Sequence, residues 1–146
     1  MTSAELDNLV RVGGLKREPP TDDEVAGLLR SAQDRLTDAG RTELSYFSRF
    51  DLAYNAAHAL ALVTLRRAGY RSENRYLVFQ TLPHTVGMEA AKWRVLAKAH
   101  ERRNLVEYEG FLERDDRLLA ELIAIAGELH GLVAARRSRS ARGAGT

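Results

Sequence analysis

Apolar residues recur along this 146-residue chain at spacings of three and four, the signature of helices with one buried face. Nowhere do they alternate with polar residues in the two-residue period of a strand. Leu6, Leu9, Val10 and Val12 predict a short opening turn or helix, closed by Gly13-Gly14, after which Pro19-Pro20 forbids helix. Thr21 followed three residues later by Glu24 is a capping box, and Val25, Leu28, Leu29, Ala32 and Leu36 continue a helical stripe to Gly40. The longest and most apolar segment runs from about Glu43 to Ala68, with Gly69 as its left-handed cap. Ser72 stands where it can cap a short helix through Tyr76, Leu77, Phe79 and Leu82, which Pro83 ends or kinks. A further helix is predicted from about Gly87 to Tyr108, stopped by Gly110. Asp115 and Asp116 favour the start of a last helix whose stripe includes Leu118, Leu122, Ile125, Leu129 and Val133, with Arg136 and Arg137 suited to its C-terminal end. The expected fold is all-α, an antiparallel bundle of four to five helices. It occupies residues 1–137 as one domain, with a disordered basic tail over 138–146.

Composition changes this picture little, but charge placement matters. The chain has 22 basic and 20 acidic residues, a net charge of +2. No acid follows Glu128, whereas Arg136, Arg137, Arg139 and Arg142 do; without those four, 18 basic residues face 20 acidic ones. The body is thus slightly acidic, and the basic character belongs to a Ser, Arg, Gly and Ala tail with too little apolar content to order itself. Such a tail keeps a chain soluble or adds a weak, salt-sensitive phosphate contact. Cysteine is absent, which excludes disulfides, thiolate metal sites and a cysteine nucleophile, and makes a reducing cytoplasm the expected compartment. No run approaches the roughly 18 uninterrupted apolar residues of a spanning helix, and the opening residues lack a signal-peptide pattern. Neither membrane insertion nor export is expected.

The helix ending near Tyr108 departs from simple core packing. At about 100° per residue, His100, Asn104 and Glu107 fall within about 40° of Trp93, with Tyr108 about 60° and Arg103 about 80° away. One surface therefore begins with Trp93 and Leu96 and ends with an imidazole, a guanidinium, an amide, a carboxylate and a phenol, groups that hold a phosphate and move a proton. The plainer reading is that the last turns face water, Arg103 pairing with Glu107 one turn away. Leu105 and Val106 on the opposite side argue for cover there by neighbouring helices or a second subunit. The long helix carries a similar seam, in which Asp51, Tyr54 and His58 align with core-type residues. These three form either an internal hydrogen-bond set or part of a site shared with the first cluster. His84 reads as a surface or capping residue and His130 as exposed. No H-E-x-x-H pattern, phosphate-binding loop, dinucleotide fingerprint or G-x-S-x-G elbow is present, so neither a metal nor a cofactor is expected.

The run Arg102-Arg103-Asn104-Leu105-Val106-Glu107-Tyr108 resembles the signature of HEPN domains, small all-helical modules of bacterial toxins and defence nucleases. Arg49 to Ala57, followed by Ala68-Gly69-Tyr70-Arg71, is similar to the central helix and following turn of a bacterial HEPN-like subfamily of about this length. The likeness extends over most of residues 6–135. It implies a homodimer in which two Arg-bearing helices face each other across a groove, and RNA as the substrate. It also implies a cognate antitoxin or a nucleotidyltransferase as partner. Active relatives cut RNA without metal, the motif Arg holding the scissile phosphate and a motif His assisting attack by the ribose 2′-hydroxyl. Arg103 matches that Arg and Asn104 its polar neighbour, while Tyr108 stands at the spacing of the earliest allowed His. Glu107 or His100 is then left to act as general acid or base, with Asp51, Tyr54, His58 and Arg102 expected on the substrate side. Two expectations follow: a metal-independent endoribonuclease of a toxin–antitoxin or defence system, or a non-catalytic accessory subunit that binds RNA, a nucleotide or a protein.

Overall fold

The computed structural model describes residues 4–110 and 113–144, residues 136–144 by backbone alone. Its helices are α1 (Ala4–Arg11), α2 (Asp22–Ala39), α3 (Tyr46–Arg67), α4 (Arg75–Gln80), α5 (Leu82–Thr85), α6 (Ala90–Glu109) and α7 (Asp116–Ala144). Two-residue strands β1 (Lys16–Arg17) and β2 (Tyr70–Arg71) complete the chain. The expected all-α bundle is what forms, its frame supplied by α2, α3, α6 and α7.

Helix α3 is central: it packs against α2, α4, α5, α6 and α7. Its buried Ala53, Ala56, Ala57, Ala59 and Ala61 let neighbouring helices approach closely, while Phe50, Leu60, Val63 and Leu65 fill the spaces between them. The capping box forms as read, with Thr21 Oγ1 accepting from Glu24 N and Glu24 Oε1 accepting from Thr21 N. A link over residues 40–45 leaves α2 and α3 side by side, the antiparallel arrangement that short connections impose. The long helix starts at Tyr46, later than expected, because Ser45 supplies the capping oxygen for Ser48 N. It ends as expected at Gly69, whose φ of +95° is open to glycine at little cost.

Gly69 turns the chain into β2, which pairs antiparallel with β1 in the register Lys16↔Arg71 and Arg17↔Tyr70. This overturns the expectation of a chain without strands; a two-residue ladder is too short to leave an alternating pattern. Behind it Arg66, 2% exposed, donates to Glu24 Oε1 through Nε (3.1 Å) and Nη2 (2.6 Å). It also donates to the carbonyls of Glu18 (2.8 Å), Tyr70 (3.1 Å) and Pro19 (3.1 Å). Its Nη2 also lies 3.0 Å from Glu18 Oε2, and Arg71 joins the same two acids, Glu18 and Glu24. The loop through Pro19-Pro20 is thereby fastened to the ends of α2 and α3.

Asn74, not Ser72, caps α4, its Oδ1 accepting from Leu77 N, while Ser72 Oγ accepts from Asn74 N. Thr81 stops that helix, and Pro83 falls in the first turn of α5, where a missing N–H is harmless. Helix α6 begins at Ala90, after Gly87 has turned the chain with a φ of +67°. Over Asp116–Ala135, α7 is long and apolar enough to cross a membrane by length and composition alone, with a mean hydropathy of 1.7. Its Leu118, Leu119, Leu122, Ile125, Ala126, Leu129 and Val133 are buried as one wall of the core. The helix runs on to Ala144, so the segment from Ser138 expected to be disordered carries helical backbone. Ala and Arg propagate a helix readily once it is nucleated. The side chains of Arg136 and Arg137, and residues 145–146, lie outside the described residues.

Candidate functional site

The two polar seams face each other. Asp51, Tyr54 and His58 occupy one side of α3, and His100, Arg103, Asn104 and Glu107 one side of α6. Tyr54 Oη lies 2.9 Å from His100 Nδ1, and Asn104 Nδ2 lies 3.1 Å from His100 Nε2. With the Asn104 amide donating to Nε2, Nδ1 carries the proton and donates to the tyrosine oxygen. The Arg103 guanidinium rests over the Tyr54 ring, its Cζ 5.2 Å from the centroid, and pairs with Glu107 at 2.9 Å. Asp51 Oδ1 is 4.0 Å from Arg103 Nε, which is buried without a hydrogen-bond partner. Arg103 thus lies in a walled setting, 26% of its side chain exposed, with the acids opening toward solvent.

Helix α4 packs against both α3 and α6 and closes the third side. Arg75 Cζ lies 5.7 Å from the Tyr54 centroid, and its Nη1 donates to Asn55 Oδ1 at 3.0 Å. The Tyr76 ring sits 5.6 Å from that of His100. Phe79, fully buried, meets Tyr54 and His58 edge-on at 5.8 and 5.9 Å.

Burial first, and then Arg103 and Arg75, lower the pKa of His100 below its ordinary 6.5. Burial likewise dominates at His58, where Arg75, Arg103 and His100 add to it and bring the pKa down to about 4. Both imidazoles are uncharged at neutral pH. Burial raises the Tyr54 pKa, and the two arginines oppose it, so its hydroxyl stays protonated. A neutral imidazole between two permanent cations has the charge state of a base beside an anion-binding group.

No family model, curated protein or solved structure matches the chain. Of those singled out in the sequence, the fold brings together Asp51, Tyr54, His58, His100, Arg103, Asn104 and Glu107. Tyr54 is wholly buried, so it positions His100 and cannot itself meet a substrate. Two residues lie elsewhere. Tyr108 is 81% exposed at the end of α6, and Arg102 turns to Glu113 at 3.5 Å. Arg75, Asn55 and Tyr76 were missed. Arg75 stands four residues before Phe79, and that helical spacing was a signal that it shares the face turned toward α3. A separate cleft of about 260 Å³, lined by Gly13, Gly14, Lys16, Arg71, Ser72, Glu73, Asn74 and Leu77, lies against the β-pair. Among the described residues no group of three or more His, Cys, Asp or Glu is arranged to hold a metal.

His58 gives this cluster a pH signature. Its pKa is about 4 when folded against an ordinary 6.5, so below pH 6.5 the unfolded chain binds the extra proton. The stabilisation from a neutral His58 is complete above 6.5 and is lost as pH falls toward 4, on the order of 2 kcal/mol at pH 5. Urea unfolding of His58→Phe at pH 7.5 and pH 5 is expected to show a smaller acid loss than the parent. An equal loss in both proteins would remove His58 as its source.

Proposed function

We propose that this face acts on an RNA phosphate, and that the chain is a HEPN-like component of a cytoplasmic toxin–antitoxin or defence system with metal-independent endoribonuclease activity. A homodimer fits that reading, with an antitoxin or nucleotidyltransferase as partner. The observation that carries it is the neutral His100 held by Tyr54 next to the Arg103 guanidinium on one helical face. A ribose 2′-hydroxyl takes the place of the Asn104 amide at Nε2 and gives its proton to the imidazole, while its oxygen forms a bond to phosphorus. The bond to the 5′-oxygen breaks, the imidazolium returns the proton to that oxygen, and a 2′,3′-cyclic phosphate remains. Arg103 balances the charge that builds on the non-bridging oxygens. In EDTA, single-stranded RNA is expected to be cleaved, and Arg103→Ala to slow cleavage by about a hundredfold. Equal rates in the two proteins would overturn this role for the site.

A non-catalytic reading has one observation in its favour: both ring nitrogens of His100 already have internal partners. Tight RNA binding with no product would select it.

A further inference from the structure

The two guanidiniums at Tyr54 differ in their surroundings. Arg103 is offset by Glu107 at 2.9 Å and Asp51 at 4.0 Å, so a phosphate that approaches it must compete with two carboxylates. Arg75, among the described residues, pairs with no carboxylate: its Nη1 donates to the Asn55 amide oxygen, and its guanidinium also hydrogen-bonds the Tyr54 side chain. Asn55 is itself fixed, since its Nδ2 donates to the Asp51 carbonyl at 2.8 Å. With both neighbouring imidazoles neutral, Arg75 is the positive charge at this face that no acid offsets. A mobile anion gains most where a charge is uncompensated and its donors are already oriented. Beside it, Tyr76 is 36% exposed and offers a ring on which an unpaired base can stack.

We propose that Arg75, with its guanidinium positioned by Asn55, takes up a backbone phosphate of a single-stranded RNA at this face and supplies the affinity that delivers the strand to Arg103 and His100. The assignment rests on the RNA reading above. It separates holding from chemistry: Arg75 acts on the bound strand, Arg103 on the charge developed during reaction.

The test is binding of a fluorescent single-stranded oligoribonucleotide, 2′-O-methylated so that it cannot be cleaved, titrated between about 50 and 200 mM salt. Arg75→Gln is expected to weaken binding about tenfold and to flatten the log–log salt slope by about 0.7, the loss of one phosphate contact on a single strand. Arg75→Lys, which keeps the charge but not the fork held by Asn55, should retain the slope and lose affinity severalfold. Parental affinity and slope in Arg75→Gln overturn the assignment while leaving the RNA reading intact. No binding by the parent protein overturns the RNA reading and this inference with it. Should the glutamine variant fail to fold, parental affinity in Arg75→Lys overturns the assignment in its place.

Discussion

Replacing Arg66 by alanine is expected to destabilise the fold by about 3 kcal/mol, the cost of leaving buried partners without their cation. That loss corresponds to roughly 10 °C in melting temperature. Arg66 is 2% exposed and satisfies Glu24 and three carbonyls at once. Without it the Glu18, Pro19 and Tyr70 carbonyls lose their donor, the last of them in a buried setting, and Glu24 keeps Arg71 and the Thr21 amide. The deficit depends on pH. The Arg66 hydrogen bond is the largest cause holding the Glu24 pKa below 4.5. Its stabilisation is therefore present above 4.5 and lost as pH falls through the lowered value. The difference between parent and Arg66→Ala should narrow in acid. Thermal unfolding followed by circular dichroism at pH 7 and pH 3.5 checks both statements, and a loss below about 1 kcal/mol at pH 7 would mean that the network is not a fastening.

On the proposed ribonuclease reading, His100→Ala is expected to slow RNA cleavage by about a thousandfold, the middle of the range for a positioned general acid–base. The imidazole is the group on this face that can exchange a proton with a hydroxyl near neutrality, and its pKa is lowered by burial, Arg103 and Arg75. The base form therefore persists below the ordinary midpoint of 6.5. The parental rate should stay flat from neutrality down through pH 6.5 and decline only in more acid solution. Tyr54→Phe removes the oxygen at Nδ1 while keeping the ring packed between Arg75, Arg103 and Phe79. It should lower the rate with little change in RNA affinity, the behaviour of a positioning residue. A His100→Ala protein that cleaves at the parental rate would rule out the imidazole as the base.

The parts of this molecule legible in the sequence are those set by local geometry. The Thr21–Glu24 capping box, the glycines after α3 and α6, and the helical phase of the apolar stripes depend on residues a few positions apart. So does the alignment of Asp51, Tyr54 and His58, because 3.6 residues per turn places them on one face whatever surrounds it. That they meet His100 and Arg103 is a tertiary fact that the two seams implied by both being polar. Arg75 is marked in the sequence only by its spacing of four to Phe79, a single repeat in a six-residue helix, and an asparagine beside a seam looks solvated. Tyr108 was placed at the site by motif spacing, yet α6 carries it out to an 81% exposed position. The β-pair depends on closure of the long loop between β1 and β2, which local patterning does not encode, and the run of α7 past Ser138 on propagation from the helix before it, which a low apolar content hides.

Tyr54 gives the core and the polar face a shared floor. Its ring is fully enclosed and meets Phe79, while its hydroxyl ends at His100. A change in volume at Phe79 therefore acts on the same residue that holds the imidazole. Stabilising substitutions meant to leave His100 undisturbed belong where α2 and α7 pack on α3 rather than beside Phe79.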